Sequence, residues 1–138
     1  KPVKGKLFVG TVVRNAVDLI DVANLPNDTK IYSSNVIDIV SEWRAFVRYG
    51  EVVDVRHYNG DWTKIYNPKV IKDCVSCYNS APAGYGMDFG VTKQGETVLI
   101  EVNEGYSLGC YGLYPVEYAK LISARWAQLT NTEDQFNF

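Results

Sequence analysis

The sequence predicts an α+β fold with mostly antiparallel sheets in two layers and about three helices. Two β-hairpin patterns, at residues 41–59 and 85–103, indicate the sheets, and apolar stripes at helical spacing between and after them indicate the helices. The 138 residues include 46% hydrophobic and 22% charged side chains, which is typical of a globular protein. A chain of this size is expected to bury roughly 68 to 70% of its unfolded surface, enough for one domain or for part of a larger protein.

The first third of the chain carries weaker patterns. A β-branched run at residues 7–13, interrupted by a glycine, predicts a strand. Asn15 can cap a short helix that ends at about Ala23, because apolar residues recur there at helical spacing. After turn-forming residues, residues 30–39 are rich in strand formers, and they predict another strand.

The first hairpin brings polar side chains together. A turn at residues 50–51 places Arg44 opposite His57 and Glu42 opposite Asn59. Arg44 is planar and always charged, so it can bind a phosphate or a carboxylate through two hydrogen bonds. The alternative is a surface Glu–Arg pair that contributes almost nothing to stability.

Two helices are predicted in the remaining sequence. Pro68 suits the first turn of a helix that continues to Asn79 on one apolar stripe. Its Cys74 and Cys77 form a CxxC pattern without a second cysteine or histidine pair, so packing is favoured over zinc binding. A final amphipathic helix is predicted at residues 116–129, followed by a loose tail.

The strongest chemical signal comes from the second hairpin. With a turn at residues 94–95, Asp88 lies opposite Glu101. Strand alternation then puts Glu101 and Asn103 on one face and Val102 on the buried one. Paired carboxylates repel each other unless a cation lies between them, and with an amide oxygen they suit Mg²⁺. The alternative is an edge hairpin whose acids point into solvent.

Charge and hydropathy exclude several classes of function. A net charge of −2 lacks the basic excess typical of nucleic-acid binding, and no apolar run has the length of a membrane span. We therefore expect a cytoplasmic protein without nucleic-acid or membrane partners. Because the chain opens on Lys1 and not on Met, we expect it to be the C-terminal part of a longer protein.

Five blocks in this order resemble the ATP-grasp family, most closely its small bacterial and phage-associated branch. They are Lys1-Pro2 followed by a strand-like run, and residues 31–36, 41–47, 87–91 and 98–103. The resemblance implies that residues 1–36 belong to the small ATP-grasp subdomain and residues 37–138 to the C-terminal one, with the usual N-terminal subdomain missing.

The resemblance also implies roles for individual residues. ATP phosphates would contact Lys1, with Lys6 as a second candidate, and the adenine would meet a hinge at Ser33, Ser34, Asn35 and Val36. Glu42 would bind the nucleotide, and Arg44 would act in catalysis by steadying the transferred phosphoryl group. Mg²⁺ would be held by Asp88, Glu101 and Asn103, the same residues that the hairpin register brings together.

In that family ATP phosphorylates a carboxylate and an amine then attacks the acyl-phosphate, which gives an amide or peptide bond and ADP. The implied cofactors are ATP and Mg²⁺, and the implied partners are small-molecule or peptide carboxylates and amines. Two alternatives stay open. One is a nucleotide-binding module without ligase activity, and the other is a protein-binding module that uses Trp43, Tyr58 and Trp62.

Overall fold

The computed structural model describes residues 1–3 and 7–138. They form two compact units, Lys1–Ile37 and Asp38–Phe138. The assignment of residues 1–36 and 37–138 to two ATP-grasp subdomains stays a prediction. No helix in the described part of the chain has the length and apolar content that crossing a membrane requires.

Among its described residues, the first unit contains one helix, a 3-10 helix at Ala16–Val22, where the sequence predicted a short helix. Asn15 caps it, as the sequence predicted, by accepting a hydrogen bond from the Val17 amide at 2.9 Å. The Asp18 carboxylate accepts in return from the amides of Arg14 and Asn15, at 2.7 and 3.1 Å. These backbone hydrogen bonds lower the pKa of Asp18.

The two strands predicted in this unit are wrong. Residues 7–13 are irregular, and residues 30–38 contribute only an isolated bridge between Ile31 and Pro2. Strand-forming residues need a paired neighbour and a buried face, whereas the Val9 side chain is 85% exposed. Among the described residues of this unit, strand pairing is limited to the Pro2–Ile31 bridge, so a strand-like composition alone did not produce a sheet there.

The second unit is built on one antiparallel sheet of four strands in the order β2-β1-β3-β4. The strands are β1 (Ile39–Arg48), β2 (Glu51–Gly60), β3 (Gly84–Thr92) and β4 (Thr97–Glu104). The predicted α+β class, with mostly antiparallel strands and three helices among the described residues, is confirmed. The described strands form one layer where two were expected, because all four lie in the second unit and pair in a single sheet.

Each face of the sheet packs on one helix. Helix α1 (Pro68–Cys77) has Pro68 in its first turn, as predicted, and the structure adds Asn67 as its cap. Its Ile71 packs against Ala45 and Met87 on one face of the sheet, in a cluster of fully buried side chains. Cys74 packs at the edge of this cluster, in agreement with a structural role.

Helix α2 (Pro115–Thr130) covers the opposite face. Its Leu121 is buried against Phe46 of β1. Gly84 of β3 allows a close approach, since a Cβ at this position would collide with the Leu121 carbonyl oxygen. Helix α2 thus packs on the sheet near Phe46 and Gly84. Arg44 and Asp88 are the polar residues that pair on the neighbouring part of β1 and β3.

The tail after α2 is ordered, against the prediction of a loose segment. The Asp134 carboxylate accepts hydrogen bonds from Arg48 Nη2 at 2.8 Å, Tyr49 Oη at 2.9 Å and Ser123 Oγ at 2.6 Å. Burial raises the pKa of Asp134, but these hydrogen bonds and one from the Phe136 amide outweigh it and hold the pKa at about 2. The tail is thereby fastened to the end of β1.

The turn of the first hairpin lies one residue earlier than predicted. Tyr49 and Gly50 occupy it, with φ of 49° and 80°, so both central residues are left-handed. A two-residue hairpin turn of this kind matches the twist of the strands and favours glycine at its second position. Arg48 therefore lies opposite Glu51.

This shift changes the predicted register only in part. Arg44 lies opposite Arg56, not opposite His57 as predicted. Two single-residue register shifts along the hairpin then bring Glu42 opposite Asn59, as predicted. Bulges of this kind leave no clear pattern in a short sequence. The register counted from the predicted turn alone therefore gave the wrong partner for Arg44.

Candidate functional site

Asp88 on β3 and Glu101 on β4 lie opposite each other, as the sequence predicted. The turn by itself would not produce this pair. The Thr92 amide donates to the Glu96 carbonyl at 2.8 Å, which closes a three-residue loop and would set Asp88 opposite Ile100. A register shift beside Asp88 makes Ile100 an extra residue of β4, so Glu101 takes the opposite position.

Asn103 joins the two carboxylates. Its Nδ2 donates to Asp88 Oδ2 at 3.0 Å and reaches Glu101 Oε1 at 3.5 Å. Glu101 is exposed, and Asn103 is half-buried. Val102, expected on the buried face, is exposed, because β4 is an edge strand and the bulge interrupts its alternation. The structure therefore brings together the three predicted metal ligands.

Arg44 reaches the same carboxylate from the other side. Its Nε donates to Asp88 Oδ1 and its Nη2 to Oδ2, both at 2.7 Å, with the two residues directly opposite in β1 and β3. Burial lowers the pKa of the Arg44 guanidinium, but the hydrogen bond and charge of Asp88 outweigh burial, so the pKa is raised. Arg44 thus supplies a positive charge beside the paired acids.

Small residues make room for this arginine. A Cβ at Gly86, two residues from Asp88 on β3, would lie 3.2 Å from Arg44 Cδ. Gly109 belongs to the loop between β4 and α2, and its carbonyl oxygen lies 3.4 Å from Arg44 Nη1. The glycines therefore let the arginine stem and the loop approach each other closely.

Two tyrosines cover the arginine. The Tyr111 ring centroid lies 4.7 Å from Arg44 Cζ, within the range of a cation–π contact, and that of Tyr58 lies at 5.8 Å. The two rings stack on each other, with centroids 4.7 Å apart and planes inclined by 14°. Sequence reasoning missed both roles, although the glycine- and tyrosine-rich segment 105–114 marks the loop that carries Tyr111.

Tyr58 connects the arginine to Glu42. Its hydroxyl donates to Glu42 Oε2 at 2.7 Å, and Asn59 Nδ2 donates to the other oxygen at 2.8 Å. Burial, the hydrogen bond to Glu42, and the charges of Asp88 and Glu42 raise the pKa of Tyr58 well above its usual range, against a lowering by Arg44. The phenol therefore stays protonated and acts as a donor that fixes the Glu42 carboxylate.

Asp88, Glu101 and Asn103 carry the oxygen atoms that a hard divalent cation would bind, since two carboxylates with an amide oxygen are ligands that Mg²⁺ prefers. Both Asp88 oxygens now accept from Arg44, so a cation there would share this carboxylate with the arginine. Asn103 now presents its nitrogen to both acids, so cation binding there requires the amide to turn and present Oδ1. Among the described residues, no group of three or more His, Cys, Asp or Glu side chains is placed to hold a metal ion. The predicted set is smaller than such a group, because it contains two acids, Asp88 and Glu101, and the amide of Asn103.

The predicted nucleotide-binding residues outside this cluster lie in the first unit. The Lys1 amino terminus donates to the Tyr32 carbonyl at 3.1 Å, which ties it to the segment before the predicted hinge. Ser33, Ser34, Asn35 and Val36 form an exposed, irregular stretch. Lys6 lies outside the described residues. The roles of all of these residues in ATP binding stay predictions.

Comparison with known proteins gives one family. A model of a family described as an ATP-grasp domain, the second family of its clade, matches residues 1–121. The match ends within α2 and contains the whole polar cluster, by which we mean Glu42, Arg44, Tyr58, Asp88, Glu101, Asn103 and Tyr111. The comparison with curated proteins and the comparison with solved structures give no match.

Proposed function

Because the chain belongs to this family of ATP-grasp domains, we propose that it is the ATP- and Mg²⁺-binding part of a carboxylate–amine ligase. ATP-grasp proteins are typically ATP-dependent ligases, and this much follows from family membership. The acyl-phosphate route and the residue roles are our proposal. The observation that supports it best is the buried Arg44–Asp88 pair, which adjoins Glu101 and Asn103 within the matched residues.

The proposed reaction has two steps. A carboxylate oxygen of the first substrate attacks the γ-phosphorus of ATP, and ADP leaves. The amine of the second substrate attacks the carbonyl carbon of the acyl-phosphate, phosphate leaves, and an amide bond forms. Both steps depend on positioning and on neutralising charge at the phosphoryl group, so a protein nucleophile is not needed.

Arg44 is suited to neutralise that charge. A guanidinium has five N–H donors. In Arg44, Nε and Nη2 donate to Asp88, and Nη1 lies 3.4 Å from the Gly109 carbonyl oxygen. The other N–H groups would donate to the oxygens of a transferred phosphoryl group once the side chains that bury Arg44 move aside. Asp88 orients the guanidinium and keeps it charged, so Arg44 would act as the catalytic residue.

Asp88, Glu101 and Asn103 would hold Mg²⁺ together with ATP. The ion would neutralise part of the triphosphate charge when it is bound. Asp88 and Glu101 lie directly opposite each other on β3 and β4, so both carboxylates would be close enough to share one ion. Glu101 is the exposed member and would therefore meet the ion from the solvent side.

Glu42 would contact the nucleotide as a fixed acceptor. Tyr58 and Asn59 each donate to one of its oxygens, so the carboxylate keeps one orientation and retains lone pairs for hydroxyl donors. Lys1 and Lys6 would contact phosphates, and residues 33–36 would meet adenine. The substrates would be small-molecule or peptide carboxylates and amines in the cytoplasm, without nucleic acid or membrane.

A titration of ATP with and without Mg²⁺ tests the nucleotide site. Glu101→Gln keeps the shape of the side chain and removes one charge. We expect it to weaken binding of ATP in the presence of Mg²⁺ and to leave the fold intact, since the position is exposed. Glu96→Gln is the matched control, an exposed acid at the turn of the same hairpin. Equal affinity for all variants with and without Mg²⁺ would refute the metal site.

Release of ADP that requires both a carboxylate and an amine tests the ligase activity. The two other functions give different results. Binding of ATP and Mg²⁺ without turnover in the presence of acid and amine substrates would indicate a nucleotide-binding module. Absence of any nucleotide affinity would instead favour a protein-binding module, for which the exposed Trp62 offers an apolar contact.

A further inference from the structure

Arg44 is covered at the point where a substrate would have to meet it. The residue is only 5% exposed, and the Tyr111 ring lies over its guanidinium, with the centroid 4.7 Å from Cζ. The Asp88 carboxylate accepts hydrogen bonds from Nε and Nη2 of the same guanidinium. Because so little of Arg44 is exposed, a phosphoryl group would meet its remaining N–H groups only after side chains beside it move, and the Tyr111 ring is one of these.

The backbone at Tyr111 is unusual for an aromatic residue. Cys110 and Leu113 close a β-turn, with the Leu113 amide donating to the Cys110 carbonyl at 2.7 Å. The two central residues, Tyr111 and Gly112, have φ of 42° and 80°. Asparagine and glycine are the usual residues in a turn with both central residues left-handed, and a bulky side chain at the first of them is strained. The turn by itself therefore does not favour tyrosine, although Tyr49 and Gly50 form a second turn of this kind in the chain.

Side-chain contacts hold the ring in place. Tyr111 stacks on Tyr58, and Tyr58 is anchored in turn by its hydrogen bond to Glu42. Gly109 lies beside the ring, where a Cβ would meet it at an ordinary contact distance of 3.4 Å. Tyr111 is nevertheless 43% exposed, so solvent lies on part of its surface and the ring has space to move into.

We propose that Tyr111 is a positioning residue that covers Arg44, holds the guanidinium on Asp88 and moves aside before Arg44 meets a phosphoryl group. The cover is a property of the structure alone. Its consequence for phosphoryl transfer rests on the proposed function. Contacts with Arg44 and Tyr58 hold Tyr111 on a strained backbone. The ring can therefore move when another group replaces those contacts.

Chemical labelling of arginine tests the cover directly. Phenylglyoxal modifies accessible guanidinium groups, and mass spectrometry of peptides measures the rate at each arginine. Tyr111→Asn removes the ring and places a residue favoured by the turn, so the loop backbone is retained. We expect Arg44 to be labelled about tenfold faster in this variant, because the cation–π contact and the steric cover are both lost. Tyr111→Phe keeps the ring and should retain the wild-type rate.

Two other arginines calibrate the experiment. Arg14 is exposed and reports the activity of the reagent, while Arg48, on the same strand as Arg44, has a side chain that is 15% exposed. Faster labelling confined to Arg44 supports the cover. Three results would overturn it: an unchanged Arg44 rate in Tyr111→Asn, an equal increase at Arg48, or loss of protection in Tyr111→Phe. Tyr111→Gly, which also accepts the left-handed backbone, repeats the test if Tyr111→Asn folds poorly.

A second arm separates the cover from the proposed function. ATP with Mg²⁺ is added to Tyr111→Asn before labelling. If Arg44 contacts the nucleotide phosphates, its labelling should slow again by about tenfold, because the phosphates occupy its N–H groups. Fast labelling that ATP does not change would count against the phosphate role of Arg44 and leave the cover intact.

Discussion

The Arg44 guanidinium and the Asp88 carboxylate form two parallel hydrogen bonds of 2.7 Å between the central strands of the sheet. Their side chains are 7% and 3% exposed. Removing two charges from water is costly, and the pair is tolerated because each group neutralises the other and because the geometry is bidentate. The pair therefore links the stability of the sheet to the chemistry of the cluster.

Breaking this pair is expected to destabilise the protein strongly. Arg44→Met keeps an apolar stem but leaves Asp88 buried without its counter-charge. We expect the free energy of unfolding to fall by about 3 kcal/mol at pH 7, measured by urea denaturation. The double variant Arg44→Met, Asp88→Leu should recover most of the loss, since no uncompensated charge remains buried.

An exposed pair gives the matched control. Arg56 and Asp54 lie on the edge strand, and their side chains are 40% and 31% exposed. Arg56→Met should change the free energy of unfolding by less than about 1 kcal/mol. If both methionine variants lose similar free energies of unfolding, burial does not increase the cost of breaking the Arg44–Asp88 pair.

The Asp134 contacts predict a loss of stability in acid. The folded pKa of Asp134 is about 2, against an ordinary value of 3.8, so its contribution is complete above pH 4 and is lost as the pH falls to 2. Asp134→Asn should therefore cost roughly 2 kcal/mol at pH 6 and almost nothing near pH 2. Denaturation of both proteins across this range measures the difference.

Asp73 serves as the control for this pH dependence. It is exposed on α1 and pairs with Lys69 across one helical turn. Asp73→Asn should change the free energy of unfolding little, because an exposed ion pair contributes little to stability. A difference between wild type and Asp134→Asn that stays constant with pH would contradict the assignment.

Gly86 predicts how tightly the cluster is packed. A Cβ at this position would lie 3.2 Å from Arg44 Cδ, closer than most real contacts, so Gly86→Ala must displace the arginine. We expect a loss of about 1 to 2 kcal/mol in thermal or urea unfolding. Gly109→Ala is the control, because its Cβ would meet Tyr111 at an ordinary 3.4 Å. Equal stability of the two variants would contradict the packing argument.

Local signals predicted the elements of the second unit. Pro68 after Asn67 marks the start of α1, and Gly95, at φ of 86°, marks the second hairpin turn. The pairing of Asp88 with Glu101 was also predicted, although the assumed turn was one residue too short. The bulge at Ile100 shifts the register by one residue and so compensated for the short turn. Nothing in the sequence predicts that bulge.

Contacts between distant segments could not be predicted in the same way. Arg44 and Asp88 are 44 residues apart and meet only because β1 pairs with β3, a choice that depends on the packing of both faces. The contact of Tyr111 with Arg44 likewise depends on the path of a loop. Strand-like composition at residues 7–13 and 30–38 was likewise not sufficient, since the described residues of these segments pair only where Ile31 bridges Pro2.

Asn103 offers the most direct test of cation binding by this cluster. Its Nδ2 lies 3.0 Å from an Asp88 oxygen and 3.5 Å from a Glu101 oxygen, so it supplies a weakly positive group between two acids. Asn103→Asp would replace that donor with a third carboxylate. Without a divalent cation the added repulsion should lower the free energy of unfolding by about 1 to 2 kcal/mol.

Mg²⁺ should reverse this loss if the cluster binds it. With a dissociation constant of about 1 mM, about 10 mM Mg²⁺ would return about 1.4 kcal/mol to Asn103→Asp, measured by urea denaturation with EDTA as the reference. Asn59→Asp is the matched control, since Asn59 Nδ2 donates to Glu42 at 2.8 Å and the substitution also sets two acids together. Mg²⁺ should restore Asn103→Asp far more than Asn59→Asp, because only the first adjoins two further carboxylates. Equal recovery of both variants, or of neither, would argue against a metal site at Asp88, Glu101 and Asn103.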